Sequence, residues 1–356
     1  MDKEFNFIYN KINKNRKKWK KIFSIKINDV ICIITIIIFL LVYIIKLKLD
    51  LRKFKNRKNS NIDNKNKEKL LKMCYNSRNF YYINSRKKIM NNNNINDKSL
   101  LITIQEKLNY LLIHESPDYK AHIADKIGLH EYSIKMIGKD ICVPILKIYE
   151  NANDIKLEEL PERFVLKCNH GSGMNILCRD KSNFNIIEAK RKLNYWKNIN
   201  YGLQNSEFQY ININRTIFAE TFLKEDIEDY KIYCFHGEPK FIRVQKKYDN
   251  YRKINNYYDL NWNLTDIETG LRNFIRNENI MFPKPKNLDL MINYARKLSS
   301  EFVFVRVDFY NMDGQIYLGE LTFSPSNLIF KLKNREQSIY LGNFIDVNKI
   351  KDYLFN

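Results

Sequence analysis

The chain has 356 residues and a formal net charge of +21. The first hundred residues hold 25 Lys and Arg against 7 Asp and Glu, whereas the remainder holds 36 against 33. A nucleic-acid enzyme spreads positive charge over its binding face, so this distribution argues against a nucleic-acid partner.

The N-terminal segment, residues 1–27, is basic and precedes an apolar stretch, residues 28–46, that predicts a transmembrane helix. No charged residue falls between Val30 and Ile45, and as a helix these residues would span about 24 Å at 1.5 Å per residue. A buried core helix would need an amphipathic pattern. A cleaved signal peptide would need small residues at the cleavage site, where Lys46-Leu47-Lys48 stands instead. We therefore predict a single-pass membrane protein whose N-terminal helix contacts lipid.

Residues 47–98 are rich in Lys and Asn and include the tract Asn91–Asn94. This composition cannot bury enough apolar surface to offset the loss of chain entropy, so it predicts a disordered linker. The following residues, 99–356, are numerous enough for a sizeable core in two lobes and are predicted to form the folded domain.

Four helices are predicted in this domain, at Leu100–Ile113, Tyr119–Ile137, Ile186–Lys197 and Leu288–Phe302. Strands are predicted at Pro144–Tyr149, Phe164–Lys167, Thr216–Leu223, Asp229–Phe235, Phe241–Gln245, and at 304–310 and 316–323. Helices mixed with mainly antiparallel strands predict an α+β fold.

A Gly-rich loop follows the strand that ends at Lys167, with the sequence Cys168-Asn169-His170-Gly171-Ser172-Gly173. Glycines let backbone N–H groups surround an anion, and a Lys before the loop adds a point charge for a phosphate. The spacing matches neither the Walker A motif nor the G-x-G-x-x-G fingerprint. An ordinary hairpin turn is the alternative.

A second hairpin is predicted near the C-terminus, where two β-rich runs flank the turn at 311–314. Alternation of side chains places Arg306, Asp308 and Tyr310 on one face of the first strand, and Leu318, Glu320 and Thr322 on one face of the second. With an odd number of loop residues, Asp308 and Glu320 would face each other at roughly 4.5–5.5 Å. Carboxylates this close repel unless a cation lies between them or one keeps its proton, and Mg²⁺ is the natural cation. The alternative is an exposed hairpin whose acids face solvent.

Five motifs occur in order along residues 117 to 345, and together they resemble the TupA-like ATP-grasp family of surface-polysaccharide and teichuronopeptide synthesis. They are Lys-Cys-Asn-His-Gly-Ser-Gly at 167–173, Ala-Glu-Thr-Phe-Leu at 219–223, Asp-Tyr-Lys-Ile-Tyr-Cys-Phe-His-Gly at 229–237, Tyr-Asp-Leu-Asn-Trp at 258–262, and Arg-Val-Asp at 306–308 with Gly-Glu-Leu-Thr-Phe at 319–323. The resemblance implies an ATP-grasp fold, in which two α+β lobes hold ATP between them.

The resemblance also implies roles for individual residues. Lys167 and Arg306 would be the catalytic cations, contacting the nucleotide phosphates and the transferred phosphoryl group, while Asp308 and Glu320 would hold Mg²⁺. The implied ATP-binding residues are Lys167, the loop residues His170, Gly171, Ser172 and Gly173, the hinge residues Glu220, Phe222 and Leu223, and then Asp229 and Lys231. Thr322 stands where many ATP-grasp enzymes have Asn, and Ser324–Asn327 replaces a segment in which relatives tend to have glycine.

Three functions follow as hypotheses. The first is an ATP- and Mg²⁺-dependent ligase that joins a carboxylate to an amine, with a glycan or amino acid as acceptor. The second is a glycosyltransferase acting on a polysaccharide precursor, although Asp308 and Glu320 are too far apart in sequence for a D-x-D motif. The third is an ATP-grasp module that only mediates interactions. Lys and Arg flank both ends of the apolar stretch, so charge selects no orientation, but the use of ATP favours a cytosolic catalytic domain.

Overall fold

The computed structural model describes residues 98, 101–115, 117–205, 207–249, 252–269, 274–328 and 332–349. The predicted segments 1–27 and 28–46, and the predicted linker 47–98 apart from Lys98, lie outside the described residues. None of the described helices is long and apolar enough to cross a membrane. The longest has 13 residues, about 20 Å at 1.5 Å per residue against a hydrocarbon core of about 30 Å. The predicted single-pass membrane localisation is therefore wrong for the part of the chain that the structure describes.

The described residues form seven α-helices and ten strands, besides short 3-10 turns. The helices are α1 (Ile104–His114), α2 (Pro117–Ala124), α3 (Gly128–Ile137), α4 (Ile186–Asn198), α5 (Tyr201–Asn205), α6 (Leu288–Ser299) and α7 (Arg335–Gly342). The strands are β1 (Ile145–Tyr149), β2 (Phe164–Cys168), β3 (Asn175–Cys178), β4 (Ile217–Thr221), β5 (Asp229–Phe235), β6 (Glu238–Lys247), β7 (Lys253–Tyr258), β8 (Phe274–Ile275), β9 (Phe304–Met312) and β10 (Gln315–Thr322).

The strands make two sheets, and this arrangement confirms the predicted α+β fold. The small sheet has the order β1-β4-β2-β3, and the large sheet has the order β10-β9-β5-β6-β7-β8. All pairings are antiparallel except that of β7 with β8.

Local sequence explains where the first helices begin and end. Thr103 and Glu106 form a capping box, so α1 begins at Ile104 rather than at the predicted Leu100. The single helix predicted over Tyr119–Ile137 is two helices. The carboxylate of Asp125 accepts a hydrogen bond from the N–H of Ile127 between them (2.9 Å), which is a turn rather than a continued helix.

The large sheet has one apolar face and one mixed face. Ile232, Ile242, Val307 and similar side chains pack against α6, whose Ala295 and Leu298 are fully buried. Leu290 on the same helix is 42% exposed and lies outside this core. On the opposite face, α1 and α7 cover a second apolar cluster around Phe235 and Phe304. The polar residues of that face lie beyond these two helices.

The small sheet has its own core. Phe164, Leu166 and Ala219 pack against Ala189 and Leu193 of α4. The alternate residues of β2 and β4, including Lys167 and Glu220, therefore lie on the face away from α4.

The contact between α1 and α7 depends on Gly342. A Cβ atom there would lie 2.4 Å from the carbonyl oxygen of Ile102 and 2.9 Å from the backbone N of Ile104. Because these obstacles are backbone atoms, we expect Gly342→Ala to separate the helices and lower the free energy of unfolding by about 1–3 kcal/mol. Chemical denaturation measures the change.

Glu336→Ala is the matched control, since Glu336 is exposed on the same helix. An unfolding free energy for Gly342→Ala equal to that of the control would contradict this packing.

Candidate active site

The C-terminal hairpin brings Asp308 and Glu320 together as cross-strand partners. The turn has two residues, Asp313 (φ 53°) and Gly314 (φ 85°), which alone would pair Asp308 with Gly319. A β-bulge between Leu318 and Glu320 adds the extra residue. The facing carboxylates therefore come from a bulge, not from the odd loop that the sequence analysis assumed.

The bulge also corrects the predicted face of β10. Leu318 pairs with Phe309 and is buried in the apolar core, so it does not share a face with Glu320 and Thr322. Tyr317 takes its place, opposite Tyr310. Gly319 itself lies close to its neighbours, because a Cβ atom there would be 3.0 Å from the ring of Tyr310.

The cation that joins the two acids is Arg306. Its guanidinium donates to both oxygens of Asp308 (2.6 Å each), to Glu320 Oε1 (3.3 Å) and to Thr322 Oγ1 (2.9 Å). Lys231, on the adjacent strand β5, lies 2.8 Å from Asp308 and 2.9 Å from Asp229. Burial acts to raise the pKa of Asp308, but Arg306 and Lys231 outweigh it and hold that pKa at about 2.

The small sheet contributes a second ion pair, between Lys167 of β2 and Glu220 of β4. Phe222 and Leu223, which follow β4 and were predicted to belong to a hinge, are half-buried. The guanidinium of Arg163 lies over the ring of Phe222, 4.2 Å from its centroid.

The Gly-rich loop joins β2 to β3, and the N–H of Cys168 closes it by donating to the carbonyl of Met174 (3.1 Å). Gly171 is buried beneath Tyr201, because a Cβ atom there would lie 2.7 Å from the Tyr201 ring. Ser172 and Gly173 are exposed, and Gly173 has a positive φ of 73°. An exposed, glycine-containing backbone of this kind can present N–H groups to an anion.

His170 lies apart from the other predicted site residues. Its side chain is fully buried, and Nε2 donates to the carbonyl of Trp196 in α4 (3.2 Å). Burial lowers the pKa of His170 to about 4. The backbone of His170 belongs to the loop, but its imidazole packs behind the small sheet.

Lys126 links the two sheets and was not among the predicted site residues. Its ammonium donates to the carbonyl of Gly171 (2.6 Å). Burial lowers the pKa of Lys126, while the carboxylates of Glu320 and Glu220 oppose that shift, so both lie within electrostatic reach. Lys126 therefore contacts the Gly-rich loop and interacts with the charge of Glu320 on the large sheet.

Asn169 positions this lysine. Its amide donates to Asp125 (2.8 Å) and to the carbonyl of Asn214 (2.9 Å), and its side-chain oxygen accepts from the N–H of Thr216 (2.8 Å). The sequence feature that could have indicated this arrangement is Asn169 within the Gly-rich loop. The hydrogen-bond partners of Asn169 lie far away in the chain.

These features define a protein with two β-sheets that bring acids and cations together between them. The family model for TupA-like ATP-grasp proteins matches residues 106–346. The chain therefore belongs to the TupA-like ATP-grasp family, which confirms the resemblance inferred from the motifs.

Solved structures with partial similarity include D-alanine–D-alanine ligase from Bacillus anthracis (16% identity, TM-score 0.35) and L-amino acid ligase from Bacillus licheniformis (14%, 0.36). N5-carboxyaminoimidazole synthetase from Staphylococcus aureus with ADP is a third (14%, 0.32). The matches cover 56%, 55% and 56% of this chain, and 57%, 42% and 44% of those chains, so the chain spans about half their length. No curated protein matches the chain.

We expect His170 to make the stability of the fold depend on pH. A pKa lower in the folded state than in the unfolded state stabilises the fold above pH 6.5, and this contribution is lost as the pH falls towards 4. Between pH 7 and pH 4, the unfolding free energy of the wild type should therefore fall by about 3 kcal/mol more than that of His170→Gln. Denaturant titrations across this range measure the difference.

His122→Gln is the control, because that side chain is 58% exposed. Asp308 titrates below this window, since its pKa is about 2. Equal pH dependence in the wild type and His170→Gln would contradict the prediction.

Proposed function

We propose that the protein is an ATP- and Mg²⁺-dependent ligase that joins a carboxylate to an amine. The observation that carries the proposal is the pairing of Asp308 with Glu320 beside Arg306, with Lys126 bound to the Gly-rich loop and within electrostatic reach of Glu320. Phosphoryl transfer needs positioned phosphates and neutralised charge more than it needs covalent chemistry from the protein. The proposed site supplies both.

The proposed nucleotide contacts follow the two sheets. Lys167 and Lys126 offer cations to the phosphates, and backbone N–H groups of residues 171–173 surround them. The hinge from Glu220 to Leu223 offers backbone groups to adenine and a half-buried apolar wall to its ring. Asp229 is the proposed ribose contact. Lys231, which lies beside Asp229, is also proposed to contact ATP.

Asp308 and Glu320 fit Mg²⁺, because that ion prefers carboxylate oxygens. Thr322 Oγ1 donates to Glu320 Oε1 (2.9 Å) and adds a third oxygen nearby, in place of the Asn of related enzymes. When bound, Mg²⁺ supplies charge neutralisation at the phosphates. Arg306 is proposed to steady the transferred phosphoryl group, where its guanidinium offsets developing negative charge.

The proposed reaction forms an amide. A carboxylate oxygen of the co-substrate takes the γ-phosphoryl group, which gives an acyl phosphate and ADP. An amine nitrogen then attacks the acyl carbon, phosphate leaves, and the nitrogen loses a proton. A glycan or amino acid is the proposed acceptor, with surface polysaccharide or glycopeptide synthesis as the setting that the family resemblance suggests.

We expect ATP with Mg²⁺ to stabilise the full-length protein. At 100 times its dissociation constant, a ligand adds about 2.7 kcal/mol to the free energy of unfolding. Glu320→Gln should remove the Mg²⁺-dependent part of this gain, and Lys167→Met should weaken ATP binding at every Mg²⁺ concentration. Thermal unfolding measured with ATP, Mg²⁺ and both together tests these outcomes.

Glu320 suits this test better than Asp308, because its side chain is 32% exposed, whereas loss of Asp308 would leave buried cations without a partner. Glu238→Gln is the control, since Glu238 lies on the same sheet as Glu320 and forms an exposed ion pair with Arg296 of α6 (3.1 Å). A response to UDP-glucose but not to ATP would favour the glycosyltransferase. No response to either nucleotide would favour the interaction module.

A further inference from the structure

Arg243 is a buried guanidinium that the proposed reaction does not use. It is 7% exposed and lies on β6, beside Lys231 of β5 and Tyr257 of β7. Among the described residues no carboxylate forms an ion pair with it, and its Nε has no hydrogen-bond partner. The centroid of the Tyr233 ring lies 5.9 Å from the Cζ of Arg243. A buried guanidinium without an ion pair is costly, so an anion would stabilise this position.

Two neighbours of Arg243 are also buried polar residues. Asn255 is 2% exposed, and within the described residues neither its Nδ2 nor its Oδ1 has a hydrogen-bond partner. It is the cross-strand partner of Gln245, which is also buried and lies two residues after Arg243 on the same face. The guanidinium and the two amides form one contiguous polar patch on this face of the sheet.

A narrow cavity is lined by Arg243 and otherwise mainly by apolar side chains, among them Leu108 of α1 and Leu341 of α7. Its walls include Tyr233, which is the cross-strand partner of Arg306. Pro325 and Ser326, which follow β10 and its Thr322, form another part of the wall. The cavity volume is about 20 Å³, which is room for a single small group rather than a whole molecule.

We propose that this cavity binds a non-reacting carboxylate of the co-substrate and that Arg243 is the residue that takes it. The inference rests on the proposed function, because it places the reacting carboxylate at Arg306 and Asp308. Two strand spacings separate β9 from β6, which is about 10 Å. The co-substrate is therefore an extended molecule with more than one carboxylate, and Arg243 selects it over a monocarboxylate.

The test compares Arg243→Met with Arg296→Met, a control at a 46% exposed arginine on α6. Adipate and hexanoate are the probes, since they share a carbon chain and differ by one carboxylate. We expect adipate to stabilise the wild type more than hexanoate does, and Arg243→Met to weaken adipate binding by about tenfold or more, as for the loss of a charge-assisted hydrogen bond. The ligand-free Arg243→Met protein should unfold at a temperature no lower than that of the wild type, because a buried unpaired charge has been removed.

Each other outcome is decisive. An adipate response that is absent from the wild type, or equal in Arg243→Met, overturns the proposal. A lower unfolding temperature for ligand-free Arg243→Met than for Arg296→Met makes Arg243 structural. Loss of the response to ATP with Mg²⁺ in Arg243→Met assigns Arg243 to a nucleotide phosphate. A wild type that responds to adipate but not to ATP rejects the ligase while leaving a carboxylate site.

Discussion

The candidate site depends on the ion cluster of Arg306, Asp308 and Glu320. Two carboxylates on adjacent strands repel each other, and the cost rises as water is removed. Here a guanidinium donates to both, and Lys231 adds a second cation to the more buried acid. Removing one partner from such a cluster leaves an uncompensated charge and costs about 3–5 kcal/mol. The cluster therefore fixes the geometry of β5, β9 and β10 as well as the chemistry available to a ligand.

Strand periodicity predicted the fold class, most strands and the meeting of Asp308 with Glu320. It could not predict the bulge at Gly319, since a bulge depends on what packs against the extra residue rather than on the alternation itself. The face assigned to Leu318 was therefore wrong, even though the pairing of the acids was not. The break between α2 and α3 was missed for a similar reason, because Asp125 competes for backbone hydrogen bonds only in its folded surroundings.

Buried polar residues were the hardest to predict. Lys126 and Arg243 are ordinary charged residues in the sequence, where the usual expectation is exposure to solvent. Arg243 is buried on β6, and Lys126 is half-buried because its partner, the carbonyl of Gly171, is distant in the chain. His170 differs in that its backbone lies in the Gly-rich loop, as its sequence position indicates, whereas its ring donates to the carbonyl of Trp196 behind the sheet. The position of a residue in a loop determines where its backbone lies. The direction of its side chain is determined by packing in the folded protein.

The ion cluster also neutralises the cations of the proposed site when no ligand is bound. Arg306 and Lys231 are both paired with Asp308, so the cations proposed to serve phosphate binding have partners within the protein. On the proposed function, a metal at Asp308 and Glu320 would take over these carboxylates and free both cations for the phosphates. Binding of metal and of nucleotide would then favour each other, since each supplies the charge that the other leaves unpaired. Arg243 forms no ion pair among the described residues, and its buried Nε without a hydrogen-bond partner is the physical reason to expect a further anion in this site.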